Sequence, residues 1–296
     1  MYQLSDWLPT TRKEMDLRGW DRADVILFSG DAYVDHPSFG VAVVGRLLEN
    51  AGLRVCIVPQ PDWHGDLRDF KRLGRPRLFF GISPGCMDSM VNKYTAARRL
   101  RSKDAYSPDG RHDMRPEYPT IVYTNCLRRL FPDVPVVLGG IEASLRRVAH
   151  YDYWQERLRP SILVDSPADM ITYGMGEKVN LELVERLEAF MESYDDSLDY
   201  DEQTGEALMT RSAFRRAVVE REPLPQTVVL EDNVQITEGD IVLHPYEDCL
   251  RDKKLHAENF RHVEEESNRM QAARLIQKTG EKYVVVNPPY PPLTTE

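Results

Sequence analysis

Cysteine is scarce in this chain, and its four copies, Cys56, Cys86, Cys126 and Cys249, lie far apart. That spacing excludes a disulfide framework and points to a reducing cytoplasm. Cys56 and Cys126 sit in apolar stretches and read as buried small hydrophobes. No apolar run approaches the ~18 residues that a bilayer span requires. The first residues, MYQLSDWLPTTRKEMD, lack the basic-then-apolar layout of a secretory signal. Positive charge is in deficit: 38 Lys and Arg stand against 48 Asp and Glu, a net charge of −10. This balance argues against a general electrostatic grip on nucleic acid. The one basic cluster, Arg98-Arg99-Leu100-Arg101-Ser102-Lys103 with Arg111 and Arg115 beyond, reads as a solvated face rather than an anion site. A nucleotide fingerprint is absent, and His244, His256 and His262 are spaced too widely for a metal site.

What the chain does have is a series of short apolar strands that end in glycine or serine. The stretch 134–144, VPVVLGGIEAS, is the most informative. Its β-branched run suits a buried parallel strand. Gly139 and Gly140 then let the backbone turn sharply and approach a ligand closely. Residues 24–29, DVILFS, form a similar strand before Gly30. A polar loop, DAYVDHPSFG, leads into an amphipathic helix, VAVVGRLLENAG, and a second strand, LRVCIV, which makes one β-α-β unit. LFFGI (78–82) precedes SPGCMDSMVNKY, and a helix begins near Thr120. DMITY (169–173) ends in GMGE and is followed by the helical VNLELVERLEAFM. Strands alternating with helices predict an α/β fold over 1–192: a Rossmann-like, doubly wound, mostly parallel sheet. Ligands of such sheets bind beyond the carboxyl ends of the strands.

The chain changes character after residue 192. SYDDSLDYDEQTG reads as an acidic connector, and 193–286 as a smaller C-terminal α+β extension. In that extension the sequence predicts short strands within 225–244 and one long polar helix over 247–279. Gly280 stops that helix as its C′ residue, and a final strand follows at 282–286. Residues 287–296 hold Pro288, Pro289, Pro291 and Pro292 and read as a stiff linker. Thr294, Thr295 and Glu296 have the chemistry of a helix start. The linker is therefore expected to pack poorly and to lead onward. The chain would be the front part of a longer protein, with an apolar patch that the remainder covers.

Several motifs together are specific: GDAYVDHPSFG (30–40), QPDW (60–63), CMDSMVNKYT (86–95), VVLGGIEASLRRVAHYDYW (136–154) and ITYGMGEK (171–178). From Leu8 to the last residue the chain resembles the YgiQ family of radical SAM proteins. The resemblance implies a downstream radical SAM barrel, reached through the proline-rich linker. It implies that the intact protein uses a [4Fe–4S] cluster, held by Cys-x3-Cys-x2-Cys, and S-adenosylmethionine on a substrate that the sequence does not reveal. This portion would hold a substrate or cofactor, or cover the barrel. More distantly, VPVVLGG and the later Gly-x-Gly-Glu are similar to a cobalamin-binding Rossmann domain. The chain departs from these patterns at two places. It contains no Cys-x3-Cys-x2-Cys, so by itself it is expected not to bind the cluster or catalyse. Asp-x-His-x-x-Gly is also absent, and Asp35-His36-Pro37-Ser38-Phe39-Gly40 has those residue types at another spacing. A cobalamin held without a His ligand, and no cobalamin at all, are both open.

The candidate cofactor-binding residues follow the strand ends: Asp35, His36 and Ser38 after the first, Gly139 and Gly140 after the fourth, Gly174, Gly176 and Glu177 after the fifth. Asp35 would orient the His36 ring. Alternatively, Asp35 or Ser38 simply caps the helix that follows. Glu142, Ser144, Arg146 and Arg147 are further candidate contacts for a polar ligand. Cys86 has no His beside it in sequence and does not read as a nucleophile. The aromatics of HYDYW (150–154) suit packing against a neighbouring domain. The rival reading is a non-catalytic structural or interaction module whose glycine turns hold nothing. The two readings differ in whether the glycine edge is an open pocket or is filled by side chains.

Overall fold

A computed structural model describes residues 6–193 and 195–291. Helix α1 (Arg12–Leu17) opens on a capping box in which Thr11 and Glu14 satisfy each other's backbone N–H groups. Strand β1 (Val25–Ser29), helix α2 (Gly40–Asn50), strand β2 (Val55–Pro59) and helix α3 (Arg68–Lys71) follow. Next come β3 (Phe79–Ser83), α4 (Ser89–Lys93), α5 (Pro119–Leu130), β4 (Val136–Leu138) and α6 (Gly140–Leu145). A hairpin of β5 (His150–Asp152) and β6 (Arg157–Arg159) precedes α7 (Ile162–Asp165), β7 (Met170–Thr172) and α8 (Glu177–Met191). The remainder holds β8 (Asp199–Tyr200), β9 (Ala207–Leu208), α9 (Arg211–Val218), β10 (Thr227–Glu231) and β11 (Ile241–Leu243). It ends with α10 (Tyr246–Arg251), α11 (Lys253–Ser267), β12 (Leu275–Thr279) and β13 (Lys282–Val286).

Nine strands make one sheet in the order β11-β12-β13-β10-β7-β4-β3-β1-β2. From β2 to β7 every neighbouring pair is parallel. Side chains alternate between two apolar layers, as the pleat requires. Val25, Leu27, Phe79, Val137 and Met170 pack with Leu48 of α2, Leu183 and Leu187 of α8, and Phe214 of α9. Ile26, Phe28, Phe80, Val136 and Leu138 pack with Phe70 of α3, Tyr123 and Leu127 of α5, and Leu163 of α7. Burying one such side chain contributes roughly 1.5–3 kcal/mol, against about 0–1 kcal/mol for an exposed ion pair. The two layers, not the surface charges, therefore hold the fold. The α/β, Rossmann-like, mostly parallel architecture expected from the alternating pattern is the one observed.

The connection after β1 crosses one face through α2, and those after β2 and β3 cross the other through α3 and α5. A crevice therefore opens between β1 and β3 at their carboxyl ends, the topological switch point of an open α/β sheet.

The C-terminal part differs from its sequence reading at two points. The expected single helix over 247–279 is broken. Asp252 takes an extended conformation, closing α10 and capping α11 through Lys254 N at 2.9 Å. Residues Leu275–Thr279 then leave the helical pattern, because they pair antiparallel with the valine-rich β13. Gly280, with φ +58°, is the first residue of the two-residue hairpin turn and not a helix C′ residue. The second difference is the start of the linker, which is anchored rather than loose. Asn287 is buried and pairs with Thr227 through backbone and side chain, both at 2.9 Å. The Tyr290 hydroxyl donates to Glu182 at 2.6 Å. The helix start expected at Thr294–Glu296 lies outside the described residues. In the extension β10 adds antiparallel to β7, β13 and β12 follow antiparallel, and β11 closes the same sheet parallel to β12, while β8 and β9 form a separate hairpin.

Candidate glycine-edge binding site

Strand β4 ends at Leu138, and Gly139 passes extended into α6. Gly140 has φ +80°, and a Cβ there would stand 2.9 Å from Pro84 Cδ and from Ser83 Oγ. Only glycine meets both demands without strain. Strand β7 ends at Thr172, and the turn through Gly174 and Gly176 leads into α8. Ser144 joins the two turns: its hydroxyl accepts from Gly174 N at 3.1 Å and donates to Gly140 O at 2.8 Å. Beneath them opens a cavity of about 300 Å³. It runs from this edge down between α2 and α8 to Phe79, Gly81 and Val137. Gly81 supplies no side chain in the row Phe79–Gly81–Ser83, and Leu27 leans into that space, where a Cβ on Gly81 would stand 2.6 Å from its Cδ2, so that both line the floor.

The interior is apolar and the rim polar. Helices α2 and α8 both begin at the rim, and neither N-cap residue, Phe39 or Gly176, closes its helix with a side-chain hydrogen bond. Their first-turn N–H groups favour a hydrogen-bond acceptor at the mouth, while the Glu177 carboxylate in the first turn of α8 disfavours a full anion beside it. Asn180, one turn into α8, donates to Gly176 O at 2.6 Å and shapes that turn. Such a cavity suits an elongated ligand with a flat apolar part inside and a polar group at the rim.

Six of the eight candidate residues come together here: Ser38, Gly139, Gly140, Gly174, Gly176 and Glu177 all line the cavity. Asp35 and His36 do not. Asp35 is paired with Arg46 of α2, whose Nε lies 2.9 Å from Oδ2, so it does not orient His36. His36 is exposed, and its Nδ1 accepts from Ser38 N at 3.1 Å. Neither Asp35 nor Ser38 caps α2. Glu142 turns inward and is fully buried, accepting from the hydroxyls of Ser89 and Thr120. Burial pushes its carboxyl up despite the nearby Arg146 charge. Arg146 pairs with Asp88, and Arg147 donates to Ser144 O at 2.7 Å. Burial, reinforced by Asp31, pushes the Cys86 thiol up to about 12, which rules out a ready thiolate. Arg115 of the basic cluster is buried, and Arg98 pairs with Glu156 and covers the exposed Tyr153. Thr172 and Asn180 line the cavity without having been singled out. Thr172 was legible as the polar end of a buried strand, and Asn180 by its position one turn beyond Gly176.

Among the described residues no group of three or more His, Cys, Asp or Glu could hold a metal ion, and all four cysteines are free and separate. These residues do not fit an iron–sulfur cluster. For a corrinoid, a cavity of about 300 Å³ is too small to enclose the macrocycle, and His36 is not placed to ligate cobalt from the cavity lining. No helix among the described residues is long and apolar enough to cross a membrane.

Residues 7–296 match the family model described as radical SAM N-terminal. A UPF0313 protein of Bacteroides thetaiotaomicron is 59% identical over 297 residues, covering 100% of this chain and 46% of that relative. A UPF0313 protein of Porphyromonas gingivalis is 57% identical over 99% of this chain and 43% of its own length. The UPF0313 protein YgiQ of Escherichia coli K12 is 44% identical over 98% of this chain and 43% of its own length. The chain thus spans less than half the length of these curated relatives. No solved structure matches it. With the radical SAM N-terminal model covering nearly its whole length, the chain belongs to the UPF0313 family that includes YgiQ.

Proposed function

We propose that this chain is the ligand-holding, barrel-covering portion of a cytoplasmic radical SAM iron–sulfur enzyme. The observation that carries the reading is the open cavity at the switch point between β1 and β3, walled by the two glycine turns. A module whose glycines only closed turns would have that edge filled by side chains. The chain's own part is binding and positioning. The glycine turns allow close approach, the starts of α2 and α8 hold a polar group, and the walls exclude water from the apolar part. In the intact protein a [4Fe–4S] cluster and S-adenosylmethionine would supply the radical chemistry, on ligands outside this chain. Residues 1–192 hold the ligand, 193–286 brace the sheet, and 287–296 lead toward the barrel. A corrinoid would be the finer form of this reading, with Val44, Val137 and the glycine turns holding only its planar nucleotide base.

Anaerobic reconstitution of the full-length protein with iron and sulfide tests it. The full-length protein is expected to absorb near ~400 nm and to release 5′-deoxyadenosine from S-adenosylmethionine under reduction, while the 296-residue chain does neither. Stoichiometric iron on the 296-residue chain, or no 5′-deoxyadenosine from the full-length protein, would overturn it.

A further inference from the structure

A second, larger concavity of about 560 Å³ lies between α11 and the segment from α6 to β5. Its walls include Leu145, Val148, Tyr151, Phe260 and Val263. Leu145, Tyr151 and Phe260 are 58%, 57% and 59% exposed, an unusual loss for three large apolar side chains in one groove. The two buried amides at its base, Asn259 and Gln277, are already engaged. Asn259 bonds to both backbone groups of His244. Gln277 accepts from Ala149 N and donates to His244 O. Arg147 Nε and His256 Nδ1 on its walls have no hydrogen-bond partner among the described residues, so the groove suits a mainly apolar segment that also brings a hydrogen-bonding group to those nitrogens.

The topology shows where that occupant comes from. Strands β7 and β13 are both antiparallel to β10, so they run in the same direction and end at the same edge of the sheet. The chain therefore reaches the glycine edge at Asn287, and Tyr290 then packs on α8 against Lys178 and Glu182. Asn287 O there accepts from the Tyr173 hydroxyl at 2.5 Å, and the Tyr173 ring is covered by Arg147, which also lines the groove. Between the two concavities the edge is apolar: Ile141, Leu145 and Met175 are 41%, 58% and 76% exposed. The cavity lies on the α2–α8 face of the sheet and the groove on the opposite face, and a domain that begins at this edge, where the apolar strip lies, can reach both. The family relatives are more than twice as long as the stretch this chain matches.

We propose that the groove between α11 and α6 docks a mainly apolar segment of the domain that follows residue 296 in the longer protein. The inference rests on the proposal that such a domain follows, and it assigns the contact to a surface separate from the glycine-edge cavity. Docking here would fix the second domain over the cavity mouth, using a helix that takes no part in ligand binding.

The test is site-specific photo-crosslinking in the full-length protein. Phe260 is replaced by p-benzoylphenylalanine, a change that its exposure tolerates, and in a second protein Tyr151 is replaced likewise. A control carries the same group at Tyr200, which is also exposed but lies outside the groove. On irradiation, positions 260 and 151 are expected to crosslink within one chain to peptides beyond residue 296, severalfold above the control. Crosslinks no stronger than the control, or only between two copies of the chain, would overturn the inference. Release of 5′-deoxyadenosine by the same preparations separates the outcomes. If it persists without the crosslink, the groove assignment fails alone; if it is absent as well, the radical SAM reading fails.

Discussion

At the scale of single residues, titration gives the clearest consequence. His150 is largely buried, and burial, with the Arg146 charge behind it, pulls its pKa from 6.5 down to about 4. The folded protein keeps the ring neutral, whereas the unfolded chain takes up the proton near its ordinary value. The contribution is therefore fully present above pH ~6.5 and is lost as pH falls from there through ~4. At one pKa unit per ~1.4 kcal/mol, the loss amounts to about 3 kcal/mol. Urea unfolding at about pH 7 and about pH 4.5 checks this: His150→Phe is expected to flatten the decline, and an equal decline in both proteins would contradict it. The same scale shows what a sequence can reveal. Gly139, Gly140, Gly174 and Gly176 were legible because strand-end glycines mark a sheet edge whatever the rest of the fold. The Asp35–His36 contact was not, because Arg46 captures Asp35 only once α2 has formed.

At the scale of elements, one buried arginine ties the segment between β3 and α5 to the sheet. Arg115, 2% exposed, sits 2.7 Å from Asp31 and 2.9 Å from Asp104, and donates to Pro84 O at 2.9 Å. Burial alone would raise the Asp104 carboxyl, but Asn92, Tyr106 N, the Arg115 charge and Ser107 hold it below its ordinary range. Arg115→Met would strand two buried carboxylates. It should cost about 3–5 kcal/mol, the usual penalty for breaking a buried pair. Chemical denaturation measures it, and a loss under about 1 kcal/mol would mean that the knot is not structural. Arg115 had read as surface charge because its partners are distant in sequence. The helix expected over 247–279 failed for a related reason. Leu275–Thr279 becomes a strand because β13 supplies a partner, a cause absent from the local pattern.

At the scale of the whole molecule, the alternation of strands and helices sufficed for the α/β class, since both faces of the sheet need apolar residues. What it did not show was that the C-terminal strands turn antiparallel and return the chain to the glycine edge. That return brings the cavity mouth, the apolar strip and the end of β13 to one edge, and gives the ligand-holding proposal its geometry. Native mass spectrometry of the full-length protein, purified without oxygen, tests that proposal most directly. Val44 of α2 lines the cavity, and Val44→Phe should fill it while leaving the fold intact by circular dichroism. The account predicts a low-mass ligand retained by the wild type and lost from Val44→Phe. A wild type that carries no ligand, or a variant that keeps the same ligand at the same occupancy, would contradict it.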